Sequence, residues 1–214
     1  MKVYRIPDRC GAVLFDLDST LYTNPEYERS QIDLPVERLA RLRGMTFDGM
    51  KAEIEGFREK WAGENGGRQI TLANTFKHFG VSISETVKWR EELYRPEQYL
   101  AEDRRLRSAL EKLESGFTLA VVSNNAVSVA ARTLCALGVE DLFWGIVGLD
   151  TCGVSKPREE PFMRAAILCG AGPETCVSVG DRYDIDIALP LELGMGGILV
   201  DGVEDVYNLP EILL

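Results

Sequence analysis

From residue 116 onward the chain alternates short apolar runs with helical patterns, and few folds accept that rhythm. Thr118-Leu119-Ala120-Val121-Val122 ends at Ser123, and Trp144-Gly145-Ile146-Val147-Gly148 precedes Leu149-Asp150. Cys176-Val177-Ser178-Val179 ends at Gly180-Asp181, and Gly197-Ile198-Leu199-Val200 ends at Asp201. Near-continuous apolar runs of strand length are expected where a sheet is covered on both faces. Helical spacing fills the intervals. Residues 103–114 carry Leu106, Leu110 and Leu113 on one side, and residues 128–137 carry Val129, Thr133, Leu134 and Leu137. Pro161 opens a helix with Phe162, Ala165, Ala166 and Leu168, since proline suits a first helical turn; residues 185–193 form the last. Strands alternating with helices predict βαβ units, hence an α/β fold with a Rossmann-like parallel sheet and helices on both faces.

The first strand breaks the rhythm. Ala12-Val13-Leu14-Phe15 stops at Asp16-Leu17-Asp18-Ser19-Thr20. Residues i and i+2 of a strand face one side, so Asp16 and Asp18 are expected to project together from its carboxyl end, where open parallel sheets bind ligands. Crowded carboxylates repel unless a cation or a proton intervenes, so the pair asks for a divalent metal, a phosphate-type substrate, or both. Asp-x-Asp also occurs in solvated turns. A calcium loop starting at Asp16 is excluded, because its sixth and twelfth positions require Gly and Glu and hold Leu21 and Tyr27.

No convincing strand follows until residue 118. Residues 25–43 read as helical, with Pro35 expected to break or restart the helix. Residues 46–61 place Phe47, Met50, Ile54, Phe57 and Trp61 at helical spacing, Glu64-Asn65-Gly66-Gly67 reads as a turn, and residues 70–79 and 85–94 are further helices. Ser82 and Glu85 have the spacing of a capping box. The expected division is an α/β core of residues 1–22 and 102–214, with residues 23–101 a helical cap subdomain over the paired aspartates, positioned to exclude water and choose the substrate.

The formal net charge is −10 over 214 residues. Such a chain has no bulk attraction for a nucleic-acid polymer or an anionic membrane, so any phosphate site must be built from local cations, N–H groups and metal. No apolar stretch approaches the ~18 residues of a membrane span, and Met1 to Pro7 lacks the apolar segment of a signal peptide; a cytoplasmic location is expected. Cys10, Cys135, Cys152, Cys169 and Cys176 form no Cys-x-x-Cys pair and read as small buried thiols in a reducing cytosol. The single histidine, His78, reads as an ordinary helix residue.

Three further polar sites follow apolar runs. Ser123-Asn124 offers a hydroxyl and N–H groups before a helix, an anion cradle or simply a cap. Lys156-Pro157 puts one cation in a constrained loop, and a solvated lysine is its plain alternative. Gly180-Asp181, with Asp184 and Asp186 behind it, sets acids beside a residue small enough for close approach, although a helix N-terminus also favours acids.

The order Asp16-Leu17-Asp18-Ser19-Thr20, Ser123-Asn124, Lys156-Pro157 and Gly180-Asp181 through Asp186 resembles the four motifs of the haloacid dehalogenase-like (HAD) hydrolases, across essentially the whole chain. The insertion after the first motif resembles the helical cap of that superfamily's first cap class. The resemblance implies that Asp16 is the nucleophile, forming an aspartyl-phosphate, and Asp18 the general acid and base. It implies Mg²⁺ held by the Asp16 carboxylate, the Asp18 backbone carbonyl and the Asp181 carboxylate, with Asp186 a second acid near Lys156 or the metal's waters. Ser123 and the Asn124 N–H would hold phosphate oxygens, Lys156 would offset negative charge, and Thr20 would support the motif loop. Hard Mg²⁺ prefers oxygen ligands, and the absence of His and Cys from this set argues against zinc. Metal-free dehalogenases lack an aspartate at the Asp18 position, so halide chemistry is not implied.

Asp16 through Tyr22 most resembles the pyrimidine 5′-nucleotidase-like branch, departing from it with Ser19 in place of Asn and Thr23 in place of Pro. The phosphoglycolate phosphatase-like branch shares the cap class and the other motifs. The expectation is a phosphatase for a small soluble phosphomonoester: a nucleoside monophosphate first, a small phosphorylated acid or sugar second. Trp61, Arg68, Asn74, Arg90 and Arg95 are candidate contacts to the leaving group. A phosphomutase and a catalytically inactive binding protein are the rival classes.

Overall fold

The computed structural model describes residues 1–214. Six strands form one sheet: β1 (Lys2–Arg5), β2 (Ala12–Phe15), β3 (Thr118–Val122), β4 (Gly145–Val147), β5 (Cys176–Gly180) and β6 (Gly196–Leu199), in the order β1-β6-β5-β2-β3-β4. The five later strands run parallel, as expected. β1 is an addition that sequence reading missed: it pairs antiparallel with β6 at the sheet edge. Its side chains are largely exposed, so it lacks the apolar run that marks the others.

The central strands alternate between two apolar layers. Val13, Phe15, Leu119, Val121, Val177 and Val179 face one cluster; Ala12, Leu14, Ala120, Val122 and Cys176 face the other. Both faces are therefore dry, which is why these strands read as continuous apolar runs. β2 lies between β3 and β5, so the strand order reverses beside it. The crevice at its carboxyl end is the topological switch point where open α/β sheets bind ligands.

Between β2 and β3 the chain makes helices α1 (Pro25–Arg43), α2 (Phe47–Glu64), α3 (Leu72–His78), α4 (Ile83–Leu93) and α5 (Arg104–Glu114). The first four share an apolar cluster of their own, including Val36, Leu39, Met50, Ile54, Phe76 and Trp89. The capping box of Ser82 and Glu85 is present, and His78 lies exposed on its helix, stacked on Phe57.

Pro35 does not break α1, contrary to expectation. Proline cannot donate the N–H that the carbonyl of Gln31 would receive within a helix. The Tyr94 hydroxyl donates to that carbonyl instead, at 2.6 Å. A residue from the far end of the insertion thus satisfies the group that proline orphans.

α6 (Val127–Leu137) follows β3; α7 (Leu149–Cys152) and α8 (Glu159–Leu168) follow β4. After β5 a single π-helical turn, Tyr183–Ile187, leads into α9 (Ala188–Glu192). π-turns are rare and cluster at functional sites. No helix is long and apolar enough to cross a membrane.

Candidate active site

Register brings the acidic motifs together. Phe15 is opposite Val179, and the Asp16 N–H donates to the Val179 carbonyl at 2.8 Å. Asp16 therefore leaves β2 beside Gly180-Asp181 at the end of β5. Ligand oxygens of Asp16, Asp181 and Asp186 all lie within 4.8 Å of one another. Gly180 allows this crowding: a Cβ there would sit 2.4 Å from the Asp186 Cβ.

Lys156 closes the cluster. Its Nζ donates to Asp16 Oδ1 at 2.7 Å and to Asp186 Oδ1 at 2.6 Å, with its side chain only 2% exposed. The solvated-lysine alternative is thereby excluded. Burial works to lower its pKa, but the Asp16 and Asp186 charges outweigh burial and the ammonium stays protonated. Asp186 also accepts the Arg182 N–H at 3.1 Å, and its carbonyl accepts the Ser178 hydroxyl at 2.7 Å. The π-turn is thus pinned at both ends of Asp186.

Three carboxylates face one ammonium, and the imbalance shows in their proton affinity. Burial first, then the charges of Asp16 and Asp186, push Asp181 up to about 7. Burial also raises Asp186, to about 6, against the lowering effect of Lys156. An all-oxygen set with excess negative charge and no nitrogen or sulfur ligand fits a hard divalent cation such as Mg²⁺. Asp186 belongs to this cluster through its side chain, rather than standing behind it.

Asp18 goes elsewhere, correcting the expectation that it projects with Asp16. β2 ends at Phe15, and the Leu17 carbonyl accepts N–H bonds from Thr20 and Leu21, so the chain is already turning at Asp18. Its carboxylate accepts bonds from the Tyr22 hydroxyl, from Gln31 Nε2 of α1 at 3.0 Å, and from Asn125 Nδ2 at 2.8 Å. Its side chain is outside the carboxylate cluster, so only its backbone carbonyl remains for a metal. Burial and the Asp16 charge raise its pKa despite these donors. Ser19 occupies the left-handed region with φ 58°, a conformation that asparagine tolerates better than serine.

Ser123 is buried, and its Oγ accepts the Asn125 N–H at 3.0 Å. Asn124 Oδ1 accepts the Lys156 N–H at 2.7 Å, tying the lysine loop to the end of β3. The N–H of Asn124 itself donates to nothing in the protein, which leaves it free for an anion. Thr20 is fully buried with its Oγ1 unpartnered; it fills the loop by packing. Asp184 stays outside the cluster and accepts the Gln69 N–H at 3.4 Å.

A cavity of about 180 Å³ lies between the helical insertion and the sheet edge. Asp18, Gln31, Arg58, Arg90, Asn125 and Arg182 are among its lining residues. Of the five leaving-group candidates, only Arg90 lines it, donating to the Asn124 carbonyl and to Asn125 Oδ1. Arg95 bonds the last carbonyls of α4, while Trp61, Arg68 and Asn74 line a neighbouring hollow. Tyr22, Gln31, Arg58, Asn125 and Arg182 were missed. Asn125 alone carried a signal, as the neighbour of the Ser123-Asn124 pair.

A family model described as haloacid dehalogenase-like hydrolase matches residues 10–193. The chain is 29% identical over 199 residues to a glyceraldehyde 3-phosphate phosphatase from Methanopyrus kandleri, covering 86% of this chain and 81% of that one. It is 30% identical over 179 residues to a phosphoglycolate phosphatase from Aquifex aeolicus, covering 82% and 77%. Among solved structures it shares its fold with a HAD phosphatase from Thermococcus onnurineus (TM-score 0.64, 21% identity, 95% and 97% coverage). It also shares its fold with a HAD hydrolase from Bacillus subtilis solved bound to magnesium (TM-score 0.60, 19% identity, 95% and 100%). The chain belongs to the haloacid dehalogenase-like hydrolases.

Proposed function

We propose that this protein is a Mg²⁺-dependent phosphomonoesterase for a small soluble substrate, acting through an aspartyl-phosphate on Asp16. The observation that carries the reading is Lys156 Nζ bridging Asp16 and Asp186 at 2.7 and 2.6 Å beside Asp181. Phosphoryl transfer requires positioning and charge stabilisation above all, and that is what this buried ion cluster is built to give. The names of the two relatives, both phosphatases of small phosphate esters, point the same way.

Asp16 attacks phosphorus as the bond to the ester oxygen breaks, and Asp18 gives its proton to the departing oxygen. The raised pKa of Asp18 suits that donation. Asp18, now ionised, takes a proton from water; the water oxygen attacks phosphorus and Asp16 is released with inorganic phosphate. Lys156 counters the charge of the nucleophile and the transferring group throughout. The Ser123 hydroxyl and the free Asn124 N–H hold phosphate oxygens. Asp16, Asp181 and the Asp18 carbonyl would hold Mg²⁺, with Asp186 at its side; when bound, the ion offsets the repulsion between carboxylate and phosphate.

Residues 23–101 act in this reading as a cap. Their side chains reach Asp18 through Gln31, Asn124 and Asn125 through Arg90, and Ser155 through Thr71 and Asn74. The cavity they line together with the sheet edge, about 180 Å³, is below the roughly 300–1,000 Å³ of pockets for drug-sized ligands. That favours a small phosphorylated acid or sugar over a nucleoside monophosphate. A phosphate-release assay with Mg²⁺ across two- and three-carbon phosphate esters, nucleoside monophosphates and p-nitrophenyl phosphate tests this. Release from the small esters above the nucleotides is expected; no release from any of them overturns the phosphatase reading.

A further inference from the structure

The cavity beside Asp18 holds more positive charge than a phosphate site of this design uses. Three arginines line it, Arg58 from α2, Arg90 from α4 and Arg182 from the loop after β5, and Asp18 is its one acidic residue. In a chain of net charge −10 arginines generally find carboxylates, yet none of these three forms an ion pair. Arg58 donates to a neutral acceptor, the Ile70 carbonyl, at 3.2 Å, and its Nε is buried without a partner. Arg90 is held by the two neutral acceptors of the Asn124-Asn125 segment, and its Nε is likewise buried and unpartnered. Arg182 is exposed, lies in the field of the aspartate cluster and pairs through its side chain with no member of it. Asp18 is already saturated by Tyr22, Gln31 and Asn125.

The buried, unpartnered Nε donors of Arg58 and Arg90 are costly, and like charges near one another add to the cost. Burial, followed by the Arg182 charge, weakens the hold of Arg58 on its proton. The transferring phosphate has its own counter-charge in Lys156, which pairs with Asp16 and Asp186 and does not line this cavity. What the arginines lack is a second anion in the cavity beside Asp18.

We infer that Arg58 and Arg182 form a clamp, one arm from the helical insertion and one from the sheet edge, for a carboxylate on the leaving group of the substrate. The substrate class is then a short phosphorylated carboxylic acid. This inference rests on the phosphomonoesterase reading and narrows it. A guanidinium fork matches a carboxylate bidentately, and the small cavity admits few atoms beyond the carboxylate and its link to the ester oxygen. Because the two arms come from different parts of the fold, an anion between them also holds the insertion against the core. Arg90, anchored to core acceptors, orients the wall rather than completing the clamp.

The test compares three esters of matched length: 2-phosphoglycolate, 2-hydroxyethyl phosphate and phosphoethanolamine, whose leaving groups are anionic, neutral and cationic. Steady-state kcat/KM with Mg²⁺ is expected to favour the anionic ester over the neutral one by at least about 10-fold, with the cationic ester poorest. In Arg58→Gln and in Arg182→Gln that ratio should fall about 10- to 100-fold, chiefly through KM for the anionic ester. Arg58→Lys, which keeps charge without the fork, should retain part of the preference. The ratio is insensitive to the fraction of folded enzyme, so a purely structural role for either arginine leaves it unchanged, and that result overturns the clamp. A wild-type ratio near one overturns it too, even when p-nitrophenyl phosphate is hydrolysed. Failure to release phosphate from every ester, p-nitrophenyl phosphate included, instead removes the phosphatase reading and the clamp with it.

Discussion

The floor and the roof of the site are built on different physics. The floor, Asp16, Lys156, Asp181 and Asp186, comes from the loops and the π-turn at the carboxyl edge of the sheet, with Lys156 ion-paired to Asp16 and Asp186. The roof, where Tyr22, Gln31 and Asn125 meet Asp18 and Arg90 meets the Asn124-Asn125 segment, is held by hydrogen bonds with at least one neutral partner. Two aspartates one residue apart divide between these environments. Asp16 stays next to an ammonium, as the proposed nucleophile requires; burial and the Asp16 charge make Asp18 hold its proton more tightly, as the proposed acid requires. In the proposed reaction, one short turn separates charge stabilisation from proton placement.

The largest effect should come from the floor. Asp16→Asn replaces a carboxylate nucleophile with an amide, and kcat on any hydrolysed ester should fall at least about 10³-fold with the fold retained by circular dichroism. Near-full activity would remove Asp16 from its role. Lys156→Met comes next: kcat should drop about 10²–10³-fold. Breaking a buried ion pair should also cost about 3–5 kcal/mol, read by calorimetry as a Tm fall of roughly 6–20 °C.

A roof substitution should be milder and selective. Gln31→Leu removes one donor from Asp18 and one from Tyr22. Hydrolysis of alkyl phosphates should slow about tenfold, whereas p-nitrophenyl phosphate, whose leaving group departs without a proton, should slow less. Equal losses on both would show that the roof does not govern protonation.

The floor also predicts a pH signature. Asp181 and Asp186 have folded-state pKa values of about 7 and about 6, above the ordinary 3.8. The folded metal-free chain therefore binds these protons more tightly than the unfolded chain, and stability is lost as pH rises from about 4 to about 7. Added Mg²⁺ should raise Tm more near pH 8, where the carboxylates are bare, than near pH 5, where protons compete with it. A metal shift independent of pH would contradict the cluster as the site. The smallest expected effect concerns the turn between the two regions. Ser19→Gly should stabilise the chain by about 1 kcal/mol by relieving the left-handed conformation, a Tm gain of about 2–4 °C by scanning calorimetry.

Much of the floor was legible because its signals are local. An apolar run that stops at Asp16, Ser123 or Gly180-Asp181 announces a strand and its carboxyl end together, and a parallel sheet gathers such ends on one edge. Asp186, expected as a second acid near Lys156 or the metal's waters, contacts Lys156 Nζ at 2.6 Å. The roof gave no comparable signal. Arg58 and Gln31 sit in helices whose charged and polar residues all look alike in sequence, and Pro35 reads as a helix breaker because its rescue by Tyr94 arrives from beyond the end of α4.

The amino-acid sequence by itself determined the parallel strands, the helical character of the insertion and the residues that end each strand, because periodicity and the stop from apolar to polar are properties of neighbouring residues. Only the tertiary structure decided that Asp18 turns from Asp16 toward Gln31 and Asn125, that β1 joins the edge antiparallel, and that Arg58 and Arg182 line one cavity without counter-ions. Those outcomes depend on partners far away in the chain, brought within hydrogen-bonding range by packing and register, which no local pattern encodes.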